Sequence, residues 1–499
     1  MMLRIKILFP TLLLSFPPIL SFFGAQAQKL NKNDKITLAN LATHVHYLAD
    51  PKLEGRRMGT AGDKAASDYI ISEFSKAGLR PKGDNNGWLQ AFTIDQGRVL
   101  SDDTWFSVND QPLVRFKEYF PLDFSATGQV SGSPAIALQE SGVPWFQDLK
   151  ELLETRAPHT DLPAAIRARA AACAKKGATA LILYNSSKLP DHLFFDPRDK
   201  PEAAVIPIIY ITAAAKRKYL KDESASVDIR IKVGFAESQR SGHNVVAWID
   251  NGAATTVIIG AHYDGLGHGE DSNTVCLVPG AKAAAVSAPA AGSTSAAQAA
   301  PGSPAAAPPV IYLGADDNAS GVAAMIELAR LLAASKLRNN NYLFIAFSGG
   351  ELESAGSAWF VQHPETDLKK VNYMIDMDMI GRLSDTTHTL TIGGYGTSPL
   401  WSPVCNAIRD KKLFSLHYVS NGTQQGDQAA FYRANIPVLL FTTGLSADYH
   451  QPGDDMNKIN YPGELQVLKF IYSVAEGANS RGRATFTATA DNQPLTATP

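Results

Sequence analysis

Apolar positions follow two rhythms along this chain. From Val245 to about Gly477, compact apolar runs alternate with longer stretches in which apolar residues recur every three or four positions. The runs "TVIIGAH", "NYLFIAFS", "VNYMIDMDM", "LTIGG", "FSLHYV" and "IPVLLFTT" predict strands, most of them buried on both faces. "NASGVAAMIELARLLAAS" and "WSPVCNAIRDKK" predict helices between them. Such alternation implies an α/β fold, a mixed and mostly parallel sheet with helices on both faces. Upstream, "NLATHVHYLAD" and "DKAASDYIISEFSKAGL" carry helical spacing through Ala66, Tyr69, Ile70, Phe74 and Leu79. The glycine-rich "LEGRRMGTAG" joins them.

Between about residues 103 and 237 the pattern changes to short strand-like runs, "PAIAL", "ALILYN", "VIPIIYIT" and "VDIRIKVGF", with one helix, "LPAAIRARAAACAKKGA". This reads as a smaller β-rich domain, 103–237, inserted into a discontinuous α/β domain made of residues 28–102 and 238–480. Residues 280–309 are mostly Ala, Pro, Ser and Gly, with one charge and no large apolar side chain, a composition that cannot offset the entropy of ordering. They read as a flexible loop, and 481–499 as a flexible tail.

The chain has 499 residues, too many for one core. Its 46 basic against 48 acidic side chains give no electrostatic case for nucleic acid or an anionic membrane surface. Cys173, Cys276 and Cys405 are dispersed and odd in number, which argues against a disulfide framework. Arg4 and Lys6, the apolar "ILFPTLLLSFPPILSFFG" and Ala25-Gln26-Ala27 predict a signal peptide, 1–27, cleaved after Ala27. Export to periplasm or medium follows. No later segment reaches the ~18 uninterrupted apolar residues of a membrane span, so no membrane association is expected after cleavage.

Candidate chemistry lies just past the predicted strands. "GAHYD" supplies His262 and Asp264, "GADDNASG" supplies Asp316 and Asp317, and "SGGE" supplies Glu351. "IDMDMIG" supplies Asp376 and Asp378, and "DYHQPGDD" supplies His450. In an open α/β sheet the carboxyl ends of strands converge on one crevice, so these groups can meet. Two imidazoles and three carboxylates suit Zn²⁺, and five ligands suit two ions sharing a carboxylate. Asp264 is placed to orient His262 from behind.

In chain order, "GAHYD", "GADDNASG", "SGGELESAGS", "DMDMIGR" and "YHQPGDD" resemble the motifs of co-catalytic zinc aminopeptidases of the aminopeptidase S and aminopeptidase Y type. "YLADPKLEGRRMGTAGDKAASDYIISEFSKAGLRP" is similar to that family's lead-in. The insert resembles its protease-associated domain, most tellingly at "KKGATALILYN" and "IPIIYIT". The resemblance implies the zinc exopeptidase fold, peptide substrates and removal of N-terminal residues. It implies that His262 and Asp378 hold one zinc, Glu351 and His450 a second, with Asp317 bridging and a cis peptide after it.

Two features depart from the family pattern. Two consecutive glutamates are expected after the "NYLFIAFS" strand, the first as general base, and Gly350 stands there instead. Glu353 is a weak substitute at two residues' displacement. Positioned proton transfer contributes ~10²–10⁴-fold, so a peptidase of this design is expected to be slow. Asp317 also follows His262 by 55 positions, a longer connection than is usual in the family. Two other readings stay open: a non-catalytic metal-binding recognition protein on the same fold, and an acyltransferase of the glutaminyl cyclase kind, which uses a single zinc. Arg382 reads as the partner of a structural acid.

Overall fold

The structure, a computed structural model, describes residues 30–155, 161–196, 202–222, 224–270, 310–423 and 426–490. The expected signal peptide, the loop expected over 280–309 and residues 491–499 lie outside them.

Nine strands form one sheet: β1 (Arg80–Pro81), β2 (Leu89–Leu100), β3 (Phe235–Ile249), β4 (Thr256–His262), β5 (Asn341–Phe347), β6 (Val371–Met377), β7 (Thr389–Gly393), β8 (Ser415–Tyr418) and β9 (Val438–Thr442). Their order is β1-β3-β5-β4-β6-β9-β7-β8, with β2 also paired to β3. The central run from β5 through β4 and β6 to β9 is parallel, as is β7 with β8. Antiparallel pairings join β3 to β5 and β7 to β9. The sheet is thus mixed and parallel through its centre.

Alternation along β5 shows why these runs are strands. Successive side chains point to opposite faces. Tyr342, Phe344 and Ala346 enter a core closed by helices α1 (Lys32–Leu48), α2 (Ala61–Lys76), α3 (Gly321–Ala334) and α6 (Tyr461–Asn479). Leu343, Ile345 and Phe347 enter a second core on the other face, with Phe360 of α4 (Ala355–Gln362) and Phe431 of α5 (Gln428–Arg433). Each fully buried side chain of this size contributes about 1.5–3 kcal/mol. Side-chain caps from Asn31, Thr60 and Asn460 start α1, α2 and α6.

Strands β2 and β3 pair from Val245 opposite Leu89 to Phe235 opposite Leu100, a long ribbon. Between them, Trp105–Val108, Gln111–Pro112, Gly128–Gly132 and Ile229–Val233 make one four-stranded sheet. Tyr119–Pro121, Trp145–Asp148, Leu181–Tyr184 and Ile208–Ile211 make another. Two expectations for this segment fail. "PAIAL" is no strand: it turns after a single bridge from Ala135 to Ser226, and Pro134 brings no N–H to a ladder. Three helices are present among the described residues rather than one, Lys150–Thr155, Leu162–Lys175 and Ala213–Tyr219. The first and last span 6 and 7 residues, too short for a 3.6-residue period to show.

Residues 481–490, expected as part of a flexible tail, lie against the body. The Ala484 amide donates to Asn372 Oδ1 (2.7 Å), Thr487 to the Thr397 carbonyl (2.8 Å) and Thr489 to the Tyr432 hydroxyl (2.8 Å). Composition misled here because these bonds use main-chain groups and partners far away in sequence.

Candidate metal centre

Parallel strands deliver their carboxyl ends to one edge of the sheet, and the candidate residues follow. His262 ends β4, Asp378 is the first residue beyond β6, and Glu351 lies in the turn after β5. His450 comes from the loop after β9, and Asp317 from a π-helical turn, Ala315–Ser320, that leads into α3. His262 Nε2 is 3.3 Å from Asp317 Oδ1 and 3.6 Å from Asp378 Oδ1. His450 Nε2 is 3.2 Å from both Asp317 Oδ2 and Glu351 Oε2.

Two ligand sets result, His262/Asp317/Asp378 and Asp317/Glu351/His450, each with its donor atoms within 4.8 Å of one another. Asp317 belongs to both and turns one oxygen toward each imidazole. This donor set fits a pair of borderline cations. Asp378 Oδ1 fits too: it is buried and accepts no hydrogen bond. Asp316 and Asp376 stand outside both sets. Asp316 accepts from the Gly381 amide (2.8 Å), and Asp376 from the Gln428 amide (3.1 Å).

Burial works against the His450 imidazolium, yet hydrogen bonds to Asp317 and Glu351 carry its pKa up to about 10. Burial, with the Asp317 charge, raises Glu351 to about 7. Asp317 is held below the usual carboxylate range, because its bonds to both imidazoles outweigh burial.

A second layer fixes these groups. Asp264 is buried behind His262, with its carbonyl 3.3 Å and its carboxylate 3.6 Å from Nδ1. Its carboxylate also accepts from the amides of Gly350 (2.8 Å) and Glu351 (3.4 Å), so one acid ties the His262 and Glu351 turns together. The peptide between Asp317 and Asn318 is cis. Asn318 donates to the Met377 carbonyl (2.9 Å) and accepts from the Met379 amide (3.2 Å), fastening the Asp317 turn to the end of β6.

Gly350 packs on the His262 ring. A Cβ there would lie 2.3 Å from His262 Cγ, so no side chain fits unless the ring or the turn moves. Glu353 is exposed, in a left-handed turn (φ 59°). Arg382 pairs with Asp448 (3.0 Å), a structural acid.

Three contributors carried no signal of their own in the sequence. Asp454, in the last "DD" of the His450 motif, accepts from the amides of Asp316 and Asp317, each at 3.0 Å, and so caps the bridging turn. Tyr449 stacks on His450 with ring centroids 3.8 Å apart. Burial and the charges of Asp317, Glu351 and Asp378 keep its phenol protonated. Arg56 lies buried behind the centre.

Aminopeptidase YwaD of Bacillus subtilis is 30% identical over 157 residues, 30% of this chain and 34% of that protein. The uncharacterized protein YfbL of Escherichia coli is 26% identical over 193 residues, 32% of this chain and 58% of its own length. The matching segments thus span about a third and somewhat over half of these curated relatives. The solved structure of BSAP, a zinc aminopeptidase from Bacillus subtilis, superposes with a TM-score of 0.50 at 18% identity, over 88% of this chain and 94% of that one. That likeness is one of fold. Residues 244–475, which include His262, Asp317, Glu351, Asp378 and His450, match the model of peptidase family M28.

Proposed function

We propose that this chain is an exported two-zinc aminopeptidase that removes N-terminal residues from peptides, slowly, without a glutamate base. The observation that carries the reading is the division of the five residues into two ligand sets hinged on Asp317. The likeness to the aminopeptidase YwaD supports the activity, and the likeness to the zinc aminopeptidase BSAP supports zinc. The 103–237 insert is read as a protease-associated-like domain.

His262 and Asp378 would hold one ion, Glu351 and His450 the other, and Asp317 both. The chemistry such a pair supplies when bound is polarisation of a carbonyl and acidification of water. Asp264 holds the His262 ring and the Glu351 turn in register. Tyr449 stacks on the His450 ring and so limits the orientations that imidazole can take. Gly350 can neither accept nor return a proton, so proton transfer falls to solvent at a cost of about 10²–10⁴ in rate.

A second reading, a recognition protein that binds metal without turnover, draws on Gly350 being packed where a side chain cannot enter. A single-zinc acyltransferase would not call for a carboxylate facing two imidazoles. The test is zinc content together with aminoacyl-nitroanilide hydrolysis, with Glu351→Ala beside the unaltered chain. Two zincs and slow turnover that Glu351→Ala abolishes is the expected result. Zinc bound with no turnover on any aminoacyl substrate would favour recognition, and one zinc per chain would remove the two-metal reading.

A further inference from the structure

Arg56 belongs to "LEGRRMGTAG", a stretch that the metal chemistry does not use. Its side chain is 1% exposed. Burying a guanidinium is costly unless its N–H groups are matched. Here the matches are main-chain carbonyls. Nε donates to Tyr263 O (2.9 Å), Nη1 to Leu313 O (2.8 Å) and to Leu48 O, and Nη2 to Gly314 O (3.0 Å). Tyr263 adjoins His262, and Gly314 precedes Asp317 by three residues.

The backbone of the same turn repeats the clasp. Gly265 donates to the Arg56 carbonyl (3.1 Å), Gly267 to that of Gly55 (3.2 Å), and Tyr312 to that of Gly267 (2.9 Å). His268 Nδ1 meets Val310 O at 2.9 Å. A Cβ on Gly55 would fall 2.5 Å from Tyr312 O and 2.7 Å from Gly267 O, so the three segments touch through their main chains. The stretch after His262 and the stretch before Asp317 are thus fastened together at their roots, although 55 positions of chain separate those two residues.

We infer that Arg56 is a positioning residue of the metal centre, setting the spacing of His262 and Asp317 independently of the chain that connects them. The inference rests on the two-metal reading. A planar five-donor fork on three carbonyl groups at the site's two roots does what a lysine cannot, since an ammonium offers charge without that geometry.

The test uses the full chain and three variants: Arg56→Lys, Arg56→Met, and replacement of residues 271–309 by a four-residue Gly-Ser linker. Zinc affinity is measured by chelator competition, ligand geometry by the absorption spectrum of the cobalt-substituted protein, and folding by circular dichroism in chelator. Arg56→Lys and Arg56→Met are expected to lose about 10–100-fold in zinc affinity, as when groups behind metal ligands are removed, with an altered cobalt spectrum. The shortened chain is expected to bind zinc as the unaltered chain does. A folded Arg56→Lys with unchanged affinity and spectrum overturns the inference. So does a loss of about tenfold or more in the shortened chain, because the connection would then set the spacing. That second arm decides alone if the Arg56 variants fail to fold. An unaltered chain that binds no zinc removes the two-metal reading and this inference together, whereas equal binding of two zincs by the unaltered chain and Arg56→Lys removes only the inference.

Discussion

Gly350 is in contact with the ring of His262, a candidate ligand, and that makes a single methyl group informative. In Gly350→Ala the new Cβ meets His262 Cγ, Cβ and Nδ1 at 2.3–2.6 Å, and none of these is the free end of a flexible chain. Either the imidazole tilts away from Asp317 and Asp378 or the turn retreats and strains the Asp264 bonds. Zinc affinity should fall about 10–100-fold, read by chelator competition, while an alanine accommodated without loss would show that the turn is freely displaced. His450 gives a prediction about pH. Its folded pKa of about 10 lies above the unfolded 6.5, so in the metal-free chain its contribution to stability is complete below about pH 6.5 and lost as pH rises toward 10. Zinc requires neutral imidazole, so the loaded chain should show the opposite trend in metal affinity. Urea unfolding in chelator at pH 6.5 and 9.5 should give the lower midpoint at 9.5, and equal midpoints would contradict the charged pairing of His450 with Asp317 and Glu351.

The turn from Ala315 to Ser320 depends on one distant acid. Asp454 accepts from the amides of both Asp316 and Asp317, and Asp316 is fully buried beside it. Asp454→Ala leaves two N–H groups short of a partner, each costing about 1–3 kcal/mol, and loosens the carboxylate common to both ligand sets. A lower melting temperature together with release of zinc from both sites is the expected outcome. Loss of stability with full zinc retention would show that the turn is held by Asn318 alone. At this scale the limits of sequence reading are physical. His262 was legible because a strand ending in a polar residue reports its own register, whereas Asp378 was separated from Asp376, two residues earlier on the same face, only through family likeness. Asp317 was separable from Asp316 only through family likeness, since both acids sit in one turn and geometry alone sends one to the ligands and the other to the Gly381 amide. Arg56 and Asp454 gave no sign because their partners are backbone groups, which every residue carries. Nor did Gly350 show that it fills a contact, because the identity of a residue does not say which ring lies against it.

At the scale of the whole molecule, four of the five candidate ligands lie on the nine-stranded sheet or in segments between its strands, and His450 lies in the loop after its last strand in sequence, β9. Residues of the two small sheets pack into cores of their own, one around Phe106, Ile182, Ile209 and Ile229, another around Leu153, Ile166 and Leu181. Neither shares a buried residue with the cores on the two faces of the large sheet. The β2–β3 ribbon is the covalent bridge, and its pairing continues from the large sheet toward the insert. A ligand stabilises the body that binds it by RT ln(1 + [L]/Kd), about 4 kcal/mol when free zinc is a thousandfold above Kd. The insert gains nothing from that term unless it unfolds together with the large sheet. Calorimetry of the full chain should therefore show two transitions, with chelator lowering the one that belongs to the large sheet and leaving the other in place. If both move together, the ribbon transmits stability between the sheets, and the separateness of the cores has no thermodynamic counterpart.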